Sequence, residues 1–370
     1  MAALTEQPPL KICEFYSGIG GWRYALQKAT SREDHDVDLA VDASTTCNAI
    51  YEHNFGHKPS QRRVESLTTK DVAGADGWLL SPPCQPYTRQ HEMTDIDDPR
   101  AASLLHLADL VEEAPPRFVC LENVVGFASS ESRERWHGAL RRAGFARPKC
   151  WHLTPTQTGV PHERPRYFES AVRTNSDEDW ASPAPTEDAW PGLDEAPPMR
   201  RIHEFLEAPY ALDQGADAAT RIEPYRVPAK TLKSDAAWCF DVVDATDSIP
   251  TACFTRSYGR FNRGTGSVLR VRQTMDDVDL ASLGFSRTTP DARPFGDTWR
   301  RHLQLRYFAP KEVANLLGFP PAFRFPAEIS QKSAWAAAGN SLHVDAAAAV
   351  IRVALDDLAS TASGGLTVIY

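Results

Sequence analysis

The chain has 370 residues and a mass of 41.0 kDa, enough to bury roughly three quarters of its unfolded surface without disulfide or metal staples. Hydrophobic residues make up 42% and charged residues 24%, which excludes a disordered, collagenous or coiled-coil chain. Lys plus Arg number 40 against 49 Asp plus Glu, a net charge of −9, which taken alone speaks against a protein that coats nucleic acid.

In chain order, Leu10–Tyr16 reads as a buried strand, followed by the turn Ser17-Gly18-Ile19-Gly20-Gly21 and a helix from about Trp22. Val37–Val41 predicts a second strand ending at Asp42. Gly77–Leu80 predicts a third, ending at Ser81-Pro82-Pro83, and Phe118–Leu121 a fourth, ending at Glu122-Asn123. Helical patterns near 44–54, 101–113 and 131–143 lie between them. Strands alternating with helices predict an α/β fold with a doubly wound, mostly parallel sheet. In such sheets ligands bind beyond the carboxyl ends of the strands, where the glycines, Asp42, the Pro-Pro-Cys segment and Glu122-Asn123 all fall.

The pattern breaks after Val172. Residues 174–220 hold eleven acids, two bases and six prolines and read as a solvated insertion or linker. That stretch carries a deficit equal to the net charge of the whole chain. Residues 221–300 show little helical period and predict a smaller, irregular domain. Regularity returns at Leu305, with a helix over Pro310–Leu317 and a last one over Val344–Leu358. Residues 1–175 and 305–370 are therefore expected to form a catalytic domain around the intervening 176–304. Residues 251–340 hold thirteen bases and seven acids, so a basic C-terminal third lies behind the acidic mean.

The seven cysteines form no C-x-x-C pair, which argues against zinc ribbons and dense disulfide frameworks and for a reducing compartment. No metal site is expected, because the histidines lack ligand spacing. The first ten residues contain no Lys or Arg, no long apolar run follows, and no stretch approaches the ~18 apolar residues of a membrane span. Neither a signal peptide nor a membrane association is expected.

Several motifs carry chemistry. The turn Glu14-Phe15-Tyr16-Ser17-Gly18-Ile19-Gly20-Gly21 departs from the Gly-x-Gly-x-x-Gly of nicotinamide sites. It still lets the backbone approach a cofactor, with free N–H groups on the following helix, although a plain strand-to-helix turn would look similar. Asp42 could accept both hydroxyls of a ribose. Three prolines around Cys84 stiffen its loop and make a mount for a nucleophile, whereas Cys13 and Cys120 sit in apolar runs as inert thiols do. Cys84 and Glu122 on adjacent strand ends suit covalent attack on an electron-poor ring, with the Glu bonding the ring's protonated nitrogen. Arg164 and Arg166 fall on one side of a predicted strand by period-2 alternation and could hold a carbonyl or phosphate oxygen. Ala338-Gly339-Asn340-Ser341-Leu342 reads as a polar turn opening the last helix, with Asn340 or Ser341 as its cap.

Together and in this order, these segments resemble the cytosine-C5 methyltransferases over the first 170 and last 65 residues. Four segments resemble most the compact branch of that family that methylates tRNA. They are Pro82–Arg89 with Met93–Asp95 and Arg100, Cys253–Gly259 running into Gly264–Leu269, Leu305–Pro321, and the glycine turn with its Tyr16. The resemblance implies a Rossmann-like catalytic domain with a target-recognition domain, and S-adenosyl-methionine as cofactor, leaving as S-adenosyl-homocysteine. It implies Cys84 as the thiolate attacking C6 of cytosine, Glu122 bonding N3 and the exocyclic amine, Arg166 holding O2, and Arg164 supporting it or touching phosphate. Around the cofactor it implies Phe15, Tyr16, Ser17, Gly18, Gly20 and Gly21 at the methionine part and Asp42 at the ribose. Val64, Glu65 and Pro82 would flank it further on, and Asn340, Ser341 and Val344 would close the site. Gln85, Thr88, Arg89, Cys253, Phe254 and Thr255 would meet substrate, though Cys253 could equally pack. The implied partner is tRNA, with tRNA(Asp) and its anticodon loop favoured and DNA as the alternative; a silent adaptor is the reading from another class. A monomer in the cytoplasm, extending to the nucleus, is the matching expectation. Arg133, Arg135, Arg141, Arg142, Arg147 and Lys149, with the basic C-terminal third, are expected to face the RNA.

Overall fold

The computed structural model describes residues 9–30, 36–87, 95–174, 180, 184–232, 239–276 and 304–362. The chain forms two compact units. One comprises Met1–Leu153, Pro165–Asp194 and Leu342–Tyr370, and the other Thr154–Arg164 and Glu195–Ser341. The 305–341 stretch, expected to return to the catalytic part, thus groups with the second unit.

The first unit is built on a seven-stranded sheet. Its strands are β1 (Lys11–Phe15), β2 (Asp36–Val41), β3 (Gly77–Leu80), β4 (Phe118–Val124), β5 (Lys149–Leu153), β6 (Arg166–Val172) and β7 (Thr186–Glu187), in the order β2-β1-β3-β4-β6-β5-β7. β1, β2, β3 and β4 pair in parallel, and β6 alone runs antiparallel, between β4 and β5. This is the doubly wound α/β sheet expected. β1, β3 and most of β4 are buried on both faces, which is why they read as unbroken apolar runs. The fourth strand runs through Val124 rather than stopping at Leu121, so Glu122 and Asn123 are strand residues.

Helices Ala102–Glu113 and Glu131–Arg142 cover the face that carries Cys13, Phe15, Trp78, Leu80, Val119, Leu121 and Tyr167. On the other face, Gly21–Ala29 packs with the C-terminal helix Val344–Ala362, and Trp22 meets Phe168 edge-on. The C-terminal helix also packs on β4 and β6, and its Ala346, Ala347, Ala348 and Ala349 are all buried, small side chains that permit close approach on several sides. Its first turn is capped by His343, whose Nδ1 accepts from Ala346 N at 3.3 Å. Neither Asn340 nor Ser341 caps it: Asn340 ends the preceding helix Gln331–Asn340 and Ser341 follows it.

The second unit holds a three-stranded sheet of β8 (Asp241–Val243), β9 (Ser267–Val271) and β10 (Gln304–Tyr307), ordered β10-β9-β8. Its interior is aromatic, with Phe254, Tyr258, Tyr307, Phe308 and Trp335 in mutual edge contact. Arg306 and Glu312 form a fully buried pair at 2.8 Å. Their remaining bonding capacity is met by the backbone of Glu207, Ala208, Pro209 and Ala309, as a buried ion pair requires. The acidic stretch is consequently not a simple linker. Thr186–Glu187 pairs with β5, and Ile202, Phe205, Tyr210, Ala211 and Ala218 are buried in the second unit.

Beside the glycine turn lies a fully buried carboxyl, Glu14, with Tyr51 donating to its Oε2 at 2.8 Å. Burial pushes its pKa from 4.5 up to about 8, against the opposing effect of the Tyr51 bond. The folded state therefore holds a proton that the unfolded state releases between those values. Stability should fall as pH rises through that window, by up to about 1.4 kcal/mol per pH unit. Glu14→Gln should flatten that slope and be the more stable chain at pH 8 than at pH 5 relative to the parent, read from urea midpoints at the two pH values.

Candidate active site

Four loops of the first unit converge at one edge of its sheet. At the end of β1 the backbone enters the left-handed region three times, at Tyr16 (φ 57), Gly18 (φ 54) and Gly20 (φ 86). A non-glycine residue there is strained, and such strain collects at ligand sites. Gly20 is required sterically as well, because a Cβ would lie 2.2 Å from the Phe55 ring. At Gly18 the same atom would meet nothing nearer than 3.8 Å, the carbonyl of Tyr16, so the turn faces open space there. Ser17 Oγ is buried with no hydrogen-bond partner among the described residues.

Asp42, just past β2, closes the same corner. Its Oδ2 accepts from Gly18 N at 2.9 Å and its Oδ1 from Ser44 N at 2.7 Å. Burial raises its pKa, against those two backbone bonds. The carboxylate shapes the glycine turn and keeps acceptor capacity on both oxygens. Val64 is buried in the core and Glu65 is exposed beside it.

The loop after β3 carries Pro82, Cys84 and Gln85, the last two half-buried. It is pinned from three sides. Trp22 Nε1 donates to Ser81 Oγ at 2.9 Å, Asn123 Nδ2 donates to Pro82 O at 3.3 Å, and Tyr87 N donates to Cys84 O at 3.1 Å. Tyr87 is buried edge-on against Phe127, 5.0 Å between centroids. The backbone after β4 passes so close that a Cβ at Gly126 would stand 2.4 Å from Tyr87 O. Thr88 and Arg89 lie outside the described residues.

On β4 and β6 the register pairs Glu122 with Phe168 and Val124 with Arg166. Arg166 and Glu122 are thus diagonal neighbours on one face, and Arg166 Nε lies 3.4 Å from Glu122 Oε1. The two side chains are 17% and 11% exposed, a desolvated setting that still leaves an open side. Arg100, which closes the first of the segments that carry the resemblance, joins this group: held bidentate by Asp98 at 2.8 and 2.6 Å, it lies within electrostatic reach of Cys84. Its signal in sequence is the adjacent Asp-Pro-Arg, which places the cation next to its anchor.

Arg164 does not accompany Arg166. Pro165 separates it from the strand, so period-2 alternation does not apply, and it belongs to the second unit. There its guanidinium is buried and donates to the carbonyls of Phe254 at 2.9 Å, Gly339 at 3.1 Å and Ser341 at 2.5 Å, with Cys253 Sγ at 3.4 Å. Gly339 is needed for that approach, since a Cβ would lie 2.3 Å from Thr255. Arg164 is a clasp between the Cys253-Phe254-Thr255 segment and the Gly339-Asn340-Ser341 turn. Phe254, expected at substrate, is completely buried between His162, Tyr258 and Phe308; its ring packs the core. Cys253 and Thr255 are half-buried and Asn340 is exposed, while Val344 is buried in the first unit.

Most of the basic run 133–149 is likewise paired or buried, although Arg141 is exposed. Arg133 is buried, donating to Tyr167 Oη, Ala128 O and Ala184 O. Arg135 pairs with Asp109, Arg142 with Glu112 and Lys149 with Asp357.

The first-unit group therefore offers a rigidly held thiol, a carboxyl and guanidinium in contact, and an open, polar glycine corner. Comparisons with known proteins give the family. The family model for C-5 cytosine-specific DNA methylases matches residues 10–355. The chain is 31% identical over 395 residues to the human tRNA (cytosine(38)-C(5))-methyltransferase, covering 93% of this chain and 99% of that one. It is also 31% identical over 378 residues to a Dictyostelium discoideum DNA (cytosine-5)-methyltransferase, covering 93% and 94%. Among solved structures, the Schizosaccharomyces pombe Dnmt2 methyltransferase superposes with a TM-score of 0.72 at 27% identity, over 95% of this chain and 99% of that one. A Spodoptera frugiperda DNMT2 mutant gives 0.74 at 28%, over 94% and 99%.

The electrostatic influence of Arg100 on the thiol is testable by itself. Removing its positive charge in Arg100→Ala should lower the thiolate fraction of Cys84. Alkylation of Cys84 by iodoacetamide, followed by peptide mass mapping, should slow several-fold near neutral pH and shift its pH midpoint upward, with Arg100→Lys close to the parent. An unshifted midpoint would show that Arg100 does not act on the thiol.

Proposed function

We propose a substrate and a mechanism on one premise: the chain belongs to the C-5 cytosine-specific DNA methylase family. It is a cytosine-C5 methyltransferase, and enzymes of this family use S-adenosyl-methionine. The substrate we propose is RNA, cytosine 38 in the anticodon loop of tRNA(Asp). The observation that carries this reading is similarity over nearly the whole of both chains to relatives named tRNA (cytosine(38)-C(5))-methyltransferase. The Cys253-Phe254-Thr255 segment, outside the blocks shared by the wider family, supports tRNA(Asp). The enzyme would act as a monomer.

The glycine corner fits the cofactor. The orphaned Ser17 hydroxyl, the open side of Gly18 and the backbone from Phe15 to Gly21 would hold its methionine part, and Asp42 its ribose. Val64 and Glu65 would border the adenine, with Pro82 and Val344 as further contacts. When bound, S-adenosyl-methionine supplies a methyl group on a positively charged sulfur.

The chain's own residues would do the rest. Cys84, as thiolate, attacks C6 of the cytosine, forming an S–C6 bond and moving an electron pair toward C5. Glu122 bonds N3 and the exocyclic amine, which makes the ring a better electrophile, and Arg166 holds O2. C5 takes the methyl group. Loss of the C5 proton then returns the electron pair, breaks the S–C6 bond and frees the thiolate. This splits one hard step into easier ones. The base must leave its stack to reach the thiol, which costs least in a loop that is already partly unstacked.

Labelled S-adenosyl-methionine offered in parallel with tRNA(Asp) and duplex DNA should label the tRNA. Cys84→Ala should abolish transfer, and Glu122→Gln should lower kcat by about 10²-fold. The Dictyostelium relative's name makes DNA the competing substrate; label in DNA and not in tRNA would overturn the RNA reading. Unchanged transfer in Cys84→Ala would overturn the mechanism.

A further inference from the structure

From Thr251 to Met275 the chain carries five arginines and no acid. Two of the five are engaged internally: Arg270 and Arg272 are buried on Asp244, at 3.4 and 2.9 Å. Arg256, Arg260 and Arg263 are exposed and have no carboxylate partner among the described residues. Between them stands Phe261, 54% exposed, with the Arg260 guanidinium 5.1 Å from its ring centroid.

A single exposed apolar side chain needs no explanation on its own. This one differs because its backbone is held on both sides. Phe261 N donates to Ser257 O at 3.2 Å, and Phe261 O accepts from Thr265 Oγ1 at 2.6 Å. The base of the loop closes through Thr255 N to Thr265 O at 3.0 Å. Tyr258, buried beneath, donates to Ser267 O at 2.6 Å and accepts from Phe308 N at 2.9 Å. Gly259 and Gly266 have positive φ, and a Cβ on either would strike the Trp335 or Phe254 ring, at 2.6 and 2.4 Å. The loop is clamped onto an aromatic core and still turns its remaining ring outward. A ring so fixed loses little freedom when something stacks on it.

The surroundings select the occupant. A flat π face among uncompensated guanidiniums matches an unpaired nucleobase with phosphates on either side. Aromatic and arginine side chains also mark protein interfaces, but three exposed cations with no carboxylate among them favour a polyanion, and a duplex keeps its bases stacked away from such a ring. We propose that the Arg256–Gly264 loop is a stacking platform for one unstacked nucleotide of the substrate RNA. Phe261 takes the base, and Arg260 and Arg263 take the flanking phosphates. This rests on RNA being the substrate.

The test uses the full-length enzyme and Phe261→Ala, Phe261→Leu and Phe261→Trp. The probe is a tRNA(Asp) transcript with 2-aminopurine placed singly at the purines of its anticodon loop. At one position the parent and Phe261→Trp should quench the fluorescence, while the Ala and Leu variants should not. The KM for tRNA should rise about tenfold in the Ala and Leu variants, with kcat and thermal midpoint nearly unchanged because the ring is exposed. Arg260→Glu with Arg263→Glu should weaken binding and flatten its dependence on salt. An unchanged KM in Phe261→Ala, or rescue by Phe261→Leu, would overturn the platform while leaving tRNA methylation intact. Methylation of duplex DNA and not tRNA by the parent would overturn the reading beneath it, and the platform with it.

Discussion

The site depends on the direction of one strand. β6 runs against β4, so its first residue, Arg166, lies at the edge where β1, β2, β3 and β4 end. A seven-residue strand spans ~20 Å; run parallel, β6 would leave Arg166 at the far edge and Glu122 without its neighbour. Register matters equally, because a slip of one residue turns every side chain to the other face. The lock on that register is Glu169, in the middle of β6 and fully buried. Its oxygens accept from Trp136 Nε1 at 2.6 Å, from His137 Nε2 at 2.8 Å and from Tyr167 Oη. A slipped Glu169 would abandon all three donors and leave a buried carboxyl unpaired, a cost of several kcal/mol.

Two buried carboxyls of this sheet, Glu14 and Glu169, behave oppositely for a physical reason. Burial alone raises both. At Glu14 it prevails, because Tyr51 is its main direct donor. At Glu169 the charge and hydrogen bond of His137, with the Tyr167 bond, outweigh burial and hold the carboxyl below its usual range. His137, Cys150 and Glu169 bring three metal-ligating groups within 4.8 Å. The cation in that cluster is supplied by the chain itself: Arg133 places its guanidinium 3.6 Å from Cys150 Sγ. With both Glu169 oxygens accepting, the group serves as a polar lock under the helix Glu131–Arg142.

Much of the arrangement was legible because its signals are local. Apolar runs marked β1 to β4, and the residues that punctuate them sit at the strand ends where ligands bind. What stayed hidden depends on partners far away in sequence. Arg135 and Arg142 read as free cations because Asp109 and Glu112, which neutralise them, lie on an earlier helix, and Lys149 because Asp357 lies on the last one. Arg164 and Arg166 looked like twins on one face. Pro165 ends that equivalence, and the carbonyls that hold Arg164 come from 90 and 175 positions onward. The acidic stretch read as solvated because Ile202, Ala211 and Ala218 are too sparse to show a period, although each is fully buried.

The net charge of −9 takes its meaning from this placement. A chain with an excess of acids repels a polyanion from most approaches, so binding must come from sites where cations stand uncompensated. Pairing removes most of the candidates: Arg133, Arg135, Arg142 and Lys149 in the first unit, and Arg270, Arg272 and Arg306 in the second. In the second unit Arg256, Arg260 and Arg263 survive that subtraction, and Arg260 lies over the ring that the loop turns outward. A binder that neutralises only two or three phosphates has a shallow salt dependence, with a slope of roughly −2 for single strands. It gains too little from charge alone to hold a duplex indiscriminately. If RNA is the substrate, affinity has to come from a base that is free to stack, and discrimination for a loop over a helix would follow from the same charge balance that first argued against a nucleic-acid partner.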